Sequence, residues 1–196
     1  SFEVSDGSLS MYAEFSPDGN KIIYSSSADD NFDLAILDLT DTTENAQKTI
    51  VASKDAELYG TFSPDGKKVA FSSFDINYKG TLKLCDADGK NLKVISSGGS
   101  AYNPKFSPDG KYLAFVWNKG SNIELYMCSS DGSGVKQISN GNGNTIQYDW
   151  SGDGKKIVYE SASESVSGIT VLEIGSGANQ NLTGSKANNV NPSFQK

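Results

Sequence analysis

The positions of this sequence whose residue types could do chemistry are few: two cysteines, one acidic stretch beside a glycine, one glycine-rich loop and a recurring set of aromatic residues. The 196 residues include no histidine. That removes the usual general base near neutral pH, and with it any Ser-His-Asp or Cys-His mechanism within the chain. With Cys85 and Cys128 as the only sulfur ligands, zinc sites built from four Cys and His side chains are excluded as well. Every one of the 17 basic residues is a lysine, so the bidentate fork that arginine offers to carboxylates and phosphates is absent.

The remaining motifs read as structure. Asp86, Asp88 and Gly89 open like a calcium loop, but an EF-hand needs glycine at its sixth position and glutamate at its twelfth, and neither follows. Ser129–Gly134 has the same hairpin character. Gly141–Thr145, GNGNT, lacks the Lys-Ser/Thr frame of a phosphate loop and reads as a connection. Asn181-Leu182-Thr183 matches a glycosylation sequon but falls in an expected strand. No spacing singles out a carboxylate pair for glycoside hydrolysis. The sequence therefore leads to the expectation of no catalytic residue, no metal and no cofactor.

The elements that must position these residues form a repeat. FSPDG begins at Phe15, Phe62 and Phe106, and WSGDG at Trp150, giving spacings of 47, 44 and 44 residues. A further 44 residues lead to Phe194 in NPSF, an echo of NPKF at Asn103–Phe106. In each turn proline presets φ, and glycine takes the left-handed position that closes a hairpin. Each turn is followed by a β-rich run (Lys21–Ser27, Lys68–Ser73, Tyr112–Trp117, Lys156–Ser161). A third run comes after a polar loop (Asp33–Leu39, Thr81–Ala87, Ile123–Ser129, Gly168–Ile174), and a short fourth one closes the unit. Four short strands per period of about 44 residues make a four-stranded antiparallel blade. The expected fold is all-β, a β-propeller-type array of four blades at about 12–54, 58–98, 102–140 and 146–184, with partial units at 1–5 and 190–196. Cys85 and Cys128 then occupy equivalent third strands about 10 Å apart, too far for a disulfide, and are expected to be two packing thiols.

The pattern F/W-S-P-D-G-K followed by an aliphatic and aromatic strand, a strand ending near aspartate and a short Leu/Ile-Ser/Thr strand resembles the repeat of TolB-like β-propellers. The resemblance covers Glu14–Thr183 as four units. Those propellers commonly have about six blades, so the chain reads as an excerpt of a larger array whose open blade ends invite self-association. The resemblance implies a non-catalytic, extracytoplasmic (periplasmic, cell-surface or secreted) bacterial binding module. The alternative is the gating propeller of a prolyl-oligopeptidase-type serine peptidase, whose catalytic domain would lie elsewhere.

The surface expected to bind is the rim at the entry to each first strand. Tyr12, Tyr59, Tyr102 and Tyr148 lie two to four residues before the opening aromatic. The loops between second and third strands add Phe32, Phe74, Tyr78 and Trp117, with Asp29, Asp30, Asp75 and Glu164 as acidic groups. Amphipathic aromatics give large contact area with a polar tip, so Tyr12, Tyr59, Tyr102, Tyr148, Tyr78 and Trp117 are the expected ligand-binding residues. A protein or peptide partner is favoured, and a glycan would be possible. A net charge of -7 with scattered lysines argues against nucleic acid, and no apolar run is long enough for membrane insertion.

Overall fold

In the computed structural model the described residues are 9–27, 31–43, 45–120, 122–139, 143–162, 167–183 and 192–194. Among the described residues sixteen strands form four four-stranded sheets, each keeping its strands in chain order. The first holds β1 (Ser10–Phe15), β2 (Lys21–Ser26), β3 (Asp33–Asp38) and β4 (Gln47–Val51). The second holds β5 (Ala56–Phe62), β6 (Lys68–Phe74), β7 (Gly80–Asp86) and β8 (Lys93–Val94). The third holds β9 (Ser100–Phe106), β10 (Tyr112–Asn118), β11 (Ile123–Ser129) and β12 (Lys136–Gln137), and the fourth β13 (Tyr148–Trp150), β14 (Lys156–Ala162), β15 (Ser167–Glu173) and β16 (Asn179–Asn181). The pairings between successive strands are antiparallel, as the meander pattern requires. The expected partial unit at 1–5 and most of that at 190–196 lie outside the described residues.

The repeated turn is held by a side-chain network as much as by its proline. Ser16 Oγ donates to Asp18 Oδ1 at 2.6 Å and accepts from the Lys21 amide at 2.9 Å, while Asp18 Oδ1 also accepts from the Asn20 amide at 3.0 Å. Ser63 with Asp65, Ser107 with Asp109 and Ser151 with Asp153 repeat the arrangement at 2.6, 2.7 and 2.7 Å. In the fourth copy Gly152 replaces proline and the network still forms, so the serine and aspartate define the turn. Serine donation and the following amide hold all four aspartates below the ordinary carboxylate range.

The chain divides into two compact units, Ser1–Phe106 and Ser107–Lys196. In the first, β5 packs across β1, β2 and β3, and β9 across β5, β6 and β7. Ile23, Leu34 and Ile36 of the first sheet meet Phe62, Val69, Phe71 and Cys85 of the second in one buried cluster. The approach is so close at Gly60 that a Cβ would stand 2.6 Å from the Leu34 Cδ1, which is why that position carries no side chain. In the second unit Leu113, Phe115, Leu125, Ile157, Tyr159 and Leu172 are buried. One opening aromatic departs from the others: Phe62, Phe106 and Trp150 are buried, whereas Phe15 is 62% exposed. Cys85 and Cys128 are both buried thiols, and burial pushes that of Cys85 up to about 12.

Candidate functional site

In the Ser1–Phe106 unit three first strands break their regular conformation at the same place. The β1–β2 register shifts between Met11 and Glu14, and the β5–β6 register between Leu58 and Thr61. At these bulges Tyr12 and Tyr59 adopt left-handed backbone, with φ of 55° and 59°, and Asn103 in β9 has φ of 54°. Asparagine tolerates this region, but a tyrosine pays roughly 1–2 kcal/mol for it. Recurrent strain at one position of successive repeats is the kind of feature that accompanies a working surface.

The bulges bring the aromatic rings together. The centroids of Tyr12 and Tyr59 are 4.1 Å apart with planes at 40°, and Tyr59 in turn lies 6.3 Å from Phe74 at the end of β6. Burial, with the neighbouring Tyr12 hydroxyl adding to it, raises the Tyr59 phenol above its ordinary value; the nearby Tyr102 phenol is raised by burial alone. Tyr12 remains 43% exposed. These rings offer apolar faces with polar tips.

Phe74 roots a protruding hairpin. In the β6–β7 connection Asp75 Oδ1 accepts from the amides of Asn77 at 2.8 Å and Lys79 at 2.9 Å, and Asp75 O accepts from the Tyr78 amide at 2.9 Å. The backbone bond from Lys79 leads the effects that keep the Asp75 carboxyl below its ordinary range. The turn so fixed presents Ile76 at 93% exposure and Tyr78 at 86%, the latter again left-handed with φ of 58°. A rigid tip with two large exposed side chains beside a tyrosine pair has the make-up of an interaction hot spot.

The other two expected residues are placed differently. Tyr148 and Trp117 belong to the Ser107–Lys196 unit, where both are buried. The Tyr148 hydroxyl donates to the Ala114 carbonyl at 2.8 Å. Trp117 packs edge-on to Tyr126 at 5.0 Å, with Lys119 Nζ 4.3 Å from its ring centroid. The difference from Tyr59 is one of phase: Tyr59 stands three residues before its opening aromatic and Tyr148 two, and along a strand one residue turns the side chain to the other face. Asp29, Asp30 and Glu164 lie outside the described residues.

Sequence reasoning also missed Ile76, Asn103 and the positions immediately before each opening aromatic. Thr61 Oγ1 donates to Glu14 Oε1 at 2.8 Å across neighbouring sheets. The turn-bearing end of the same unit holds a groove of about 420 Å³ between Ser16–Asp18 and Pro64–Gly66. Its floor residues Ile36 and Phe62 are nearly buried, and the carboxylates on its walls are engaged in their own turns. Among the described residues no group of three or more His, Cys, Asp or Glu side chains is placed to hold a metal ion.

The family model described as the TolB beta propeller domain matches residues 40–196. The Tol-Pal system protein TolB of Syntrophus aciditrophicus (strain SB) is 38% identical over 52 residues, 26% of this chain and 12% of that protein. Among solved structures, TolB from Acinetobacter baumannii matches with a TM-score of 0.74 at 24% identity, covering 97% of this chain and 47% of that one. A puromycin-hydrolyzing peptidase of Mycobacterium tuberculosis matches with a TM-score of 0.75 at 14% identity, over 90% of this chain and 31% of the peptidase. The structural likenesses are likenesses of fold, and the chain spans less than half the length of either protein.

Proposed function

The chain belongs to the TolB β-propeller domain family, and from that premise we propose that it is a non-catalytic, extracytoplasmic recognition module that binds a protein or peptide through the tyrosine end of its Ser1–Phe106 unit. The observation that carries this reading is the Tyr12–Tyr59 pair, held by left-handed bulges one repeat apart and 4.1 Å between centroids. The exposed Ile76 and Tyr78 on their Asp75-fixed turn extend the same surface. Tyrosine and a rigid aliphatic tip suit a protein surface, where amphipathic rings bury area at low entropic cost. The relative from Syntrophus aciditrophicus is named as a protein of the Tol-Pal system, which supports a role alongside other proteins. Catalysis finds no support in the side chains of the chain, which has no histidine.

The test is capture from an extracytoplasmic fraction of the source cells with the purified chain and with a Tyr12→Ala/Tyr59→Ala variant, both checked for native fold by circular dichroism. A partner retained by the first and lost by the second is the expected result. An identical retained set from both would overturn the assignment of this surface.

A second reading, the propeller portion of a serine peptidase, is favoured by the fold match to the puromycin-hydrolyzing peptidase. It requires a coding sequence that continues into an α/β-hydrolase segment with a G-x-S-x-G elbow. Sequencing the gene on both sides of these residues decides it.

A further inference from the structure

One ionisable side chain is fully buried two residues from Tyr59 and takes no part in the surface described. Glu57 of β5 has no solvent exposure. Its Oε1 accepts from Ser53 Oγ at 2.6 Å and from Ser73 Oγ at 3.1 Å, Ser73 being its register partner on β6. Its Oε2 is buried without a hydrogen-bond partner. A buried carboxyl with one oxygen doubly served and the other unserved calls for an explanation.

The surroundings supply one. Lys83 Nζ of β7 lies 2.9 Å from Ser73 Oγ, so a cation reaches the carboxyl through one hydroxyl. Asp55, in the connection 52–55 that joins β4 to β5, places Oδ2 at 3.5 Å from the same hydroxyl, and Asp33 of β3 adds a second negative charge. Among the described residues, Lys83, Asp55 and Asp33 are the charged groups shown near Glu57. The connection is tied down in three ways. Asn31 Nδ2 donates to the Ser53 and Asp55 carbonyls at 2.9 and 2.6 Å, the Asp55 amide donates to Ser53 Oγ at 3.1 Å, and Ser53 Oγ donates to Glu57. The Glu57 amide donates to the Phe32 carbonyl at 2.6 Å.

We propose that Glu57 is a proton-operated latch on the 52–55 connection, at the end of the second sheet that carries Tyr59. As a neutral acid, with one proton from solvent on Oε2, it accepts two hydroxyl bonds at Oε1 and brings no charge into the interior, so the connection stays closed over it. When that proton leaves to solvent, a full charge stands in the buried site with Oε2 served by no hydrogen bond. The carboxylate gains partners for Oε2 by reaching water, so loss of the proton releases the 52–55 connection. Burial also raises the Glu57 carboxyl above its ordinary range, the Ser53 and Ser73 bonds and Lys83 opposing it, which moves the switch toward neutral pH. The latch acts in the free protein and does not depend on the nature of the partner.

The experiment is amide hydrogen exchange read by NMR together with the 13C shift of the Glu57 carboxyl, from about pH 4 to about pH 8, a span covering the ordinary carboxylate range and well above it. It is run on the wild-type chain, Glu57→Gln and Ser53→Ala. At high pH the Asp55 and Glu57 amides of the wild type should be about tenfold less protected than those of Glu57→Gln, converging as pH falls through the carboxyl midpoint. Ser53→Ala, which keeps the carboxyl and loses the latched hydroxyl, should show the low-protection behaviour throughout. A carboxyl that titrates with no change in the ratio of protection would overturn the latch, as would full pH dependence in Ser53→Ala.

Discussion

Thr61 donates its hydroxyl to the Glu14 carboxylate at 2.8 Å, and the two residues are 47 positions apart, one repeat of the chain. Each immediately precedes the opening aromatic of its unit, so the bond joins equivalent points of neighbouring first strands. Because Thr61 is buried while Glu14 is exposed, the hydroxyl is the partner that suffers when the bond is lost. Thr61→Val keeps the shape and removes the donor, and should lower stability by about 1 kcal/mol. Urea unfolding checks it. Glu14→Gln, which leaves an acceptor, should lie closer to wild type.

The same aromatic letter at Phe15 and Phe62 should carry very different weight. Phe62 packs into Ile23, Leu34 and Ile36, whereas Phe15 is 62% exposed. Phe62→Ala is expected to cost about 3–5 kcal/mol, the range for removing a buried aromatic ring. Phe15→Ala is expected to stay within about 1 kcal/mol of wild type, as an exposed site does. Denaturant midpoints of the two variants measured side by side separate these outcomes.

Tyr78 offers a way to part stability from binding. Its ring is 86% exposed and its backbone is left-handed. Glycine adopts that conformation without strain, although it gains freedom in the unfolded chain. Tyr78→Gly should therefore leave stability unchanged or raise it by up to about 1 kcal/mol. Capture of a partner through the tyrosine end should nevertheless fail. A variant that is both less stable and fully competent to bind would remove Tyr78 from the surface.

What was legible in the sequence was what local chemistry decides. The Ser-Pro-Asp-Gly turn encodes its own geometry, since Ser63 and Asp65 need only each other and two amides to close it. Four such turns in register were enough to give the four sheets. The aromatic residues Tyr12, Tyr59 and Tyr78 were visible as residue types, but their left-handed backbones were not, because a bulge depends on the partner strand. Tyr148 looked equivalent to Tyr59 until its phase along the strand placed it in the interior. Glu57 carries no such sign in the sequence, because a lone glutamate in an alternating strand reads as a solvent-facing residue. Its burial comes from Ser53, Ser73 and Lys83, which lie on three other segments.

Stability should respond to pH in two opposite senses. The turn aspartates Asp18, Asp65, Asp109 and Asp153 have carboxyls lowered by serine donation and the following amide. Their contribution is present above the unfolded aspartate value of about 3.9 and is lost as pH falls through their lower folded values. Glu57 is raised, chiefly by burial, so the folded protein binds more protons there than the unfolded chain does. Its contribution is complete below the unfolded glutamate value of about 4.3 and is lost as pH rises through the folded value. Ser63→Ala should bring Asp65 back toward the ordinary range, so the variant falls below the wild type above about pH 4 and the two converge as pH drops through the folded Asp65 value. Glu57→Gln should gain on the wild type as pH rises toward neutral and give up that advantage below about pH 4. Denaturation midpoints of the three proteins across this range provide the measurement. A Glu57→Gln difference that stays constant with pH would mean the carboxyl titrates alike in the folded and unfolded chains.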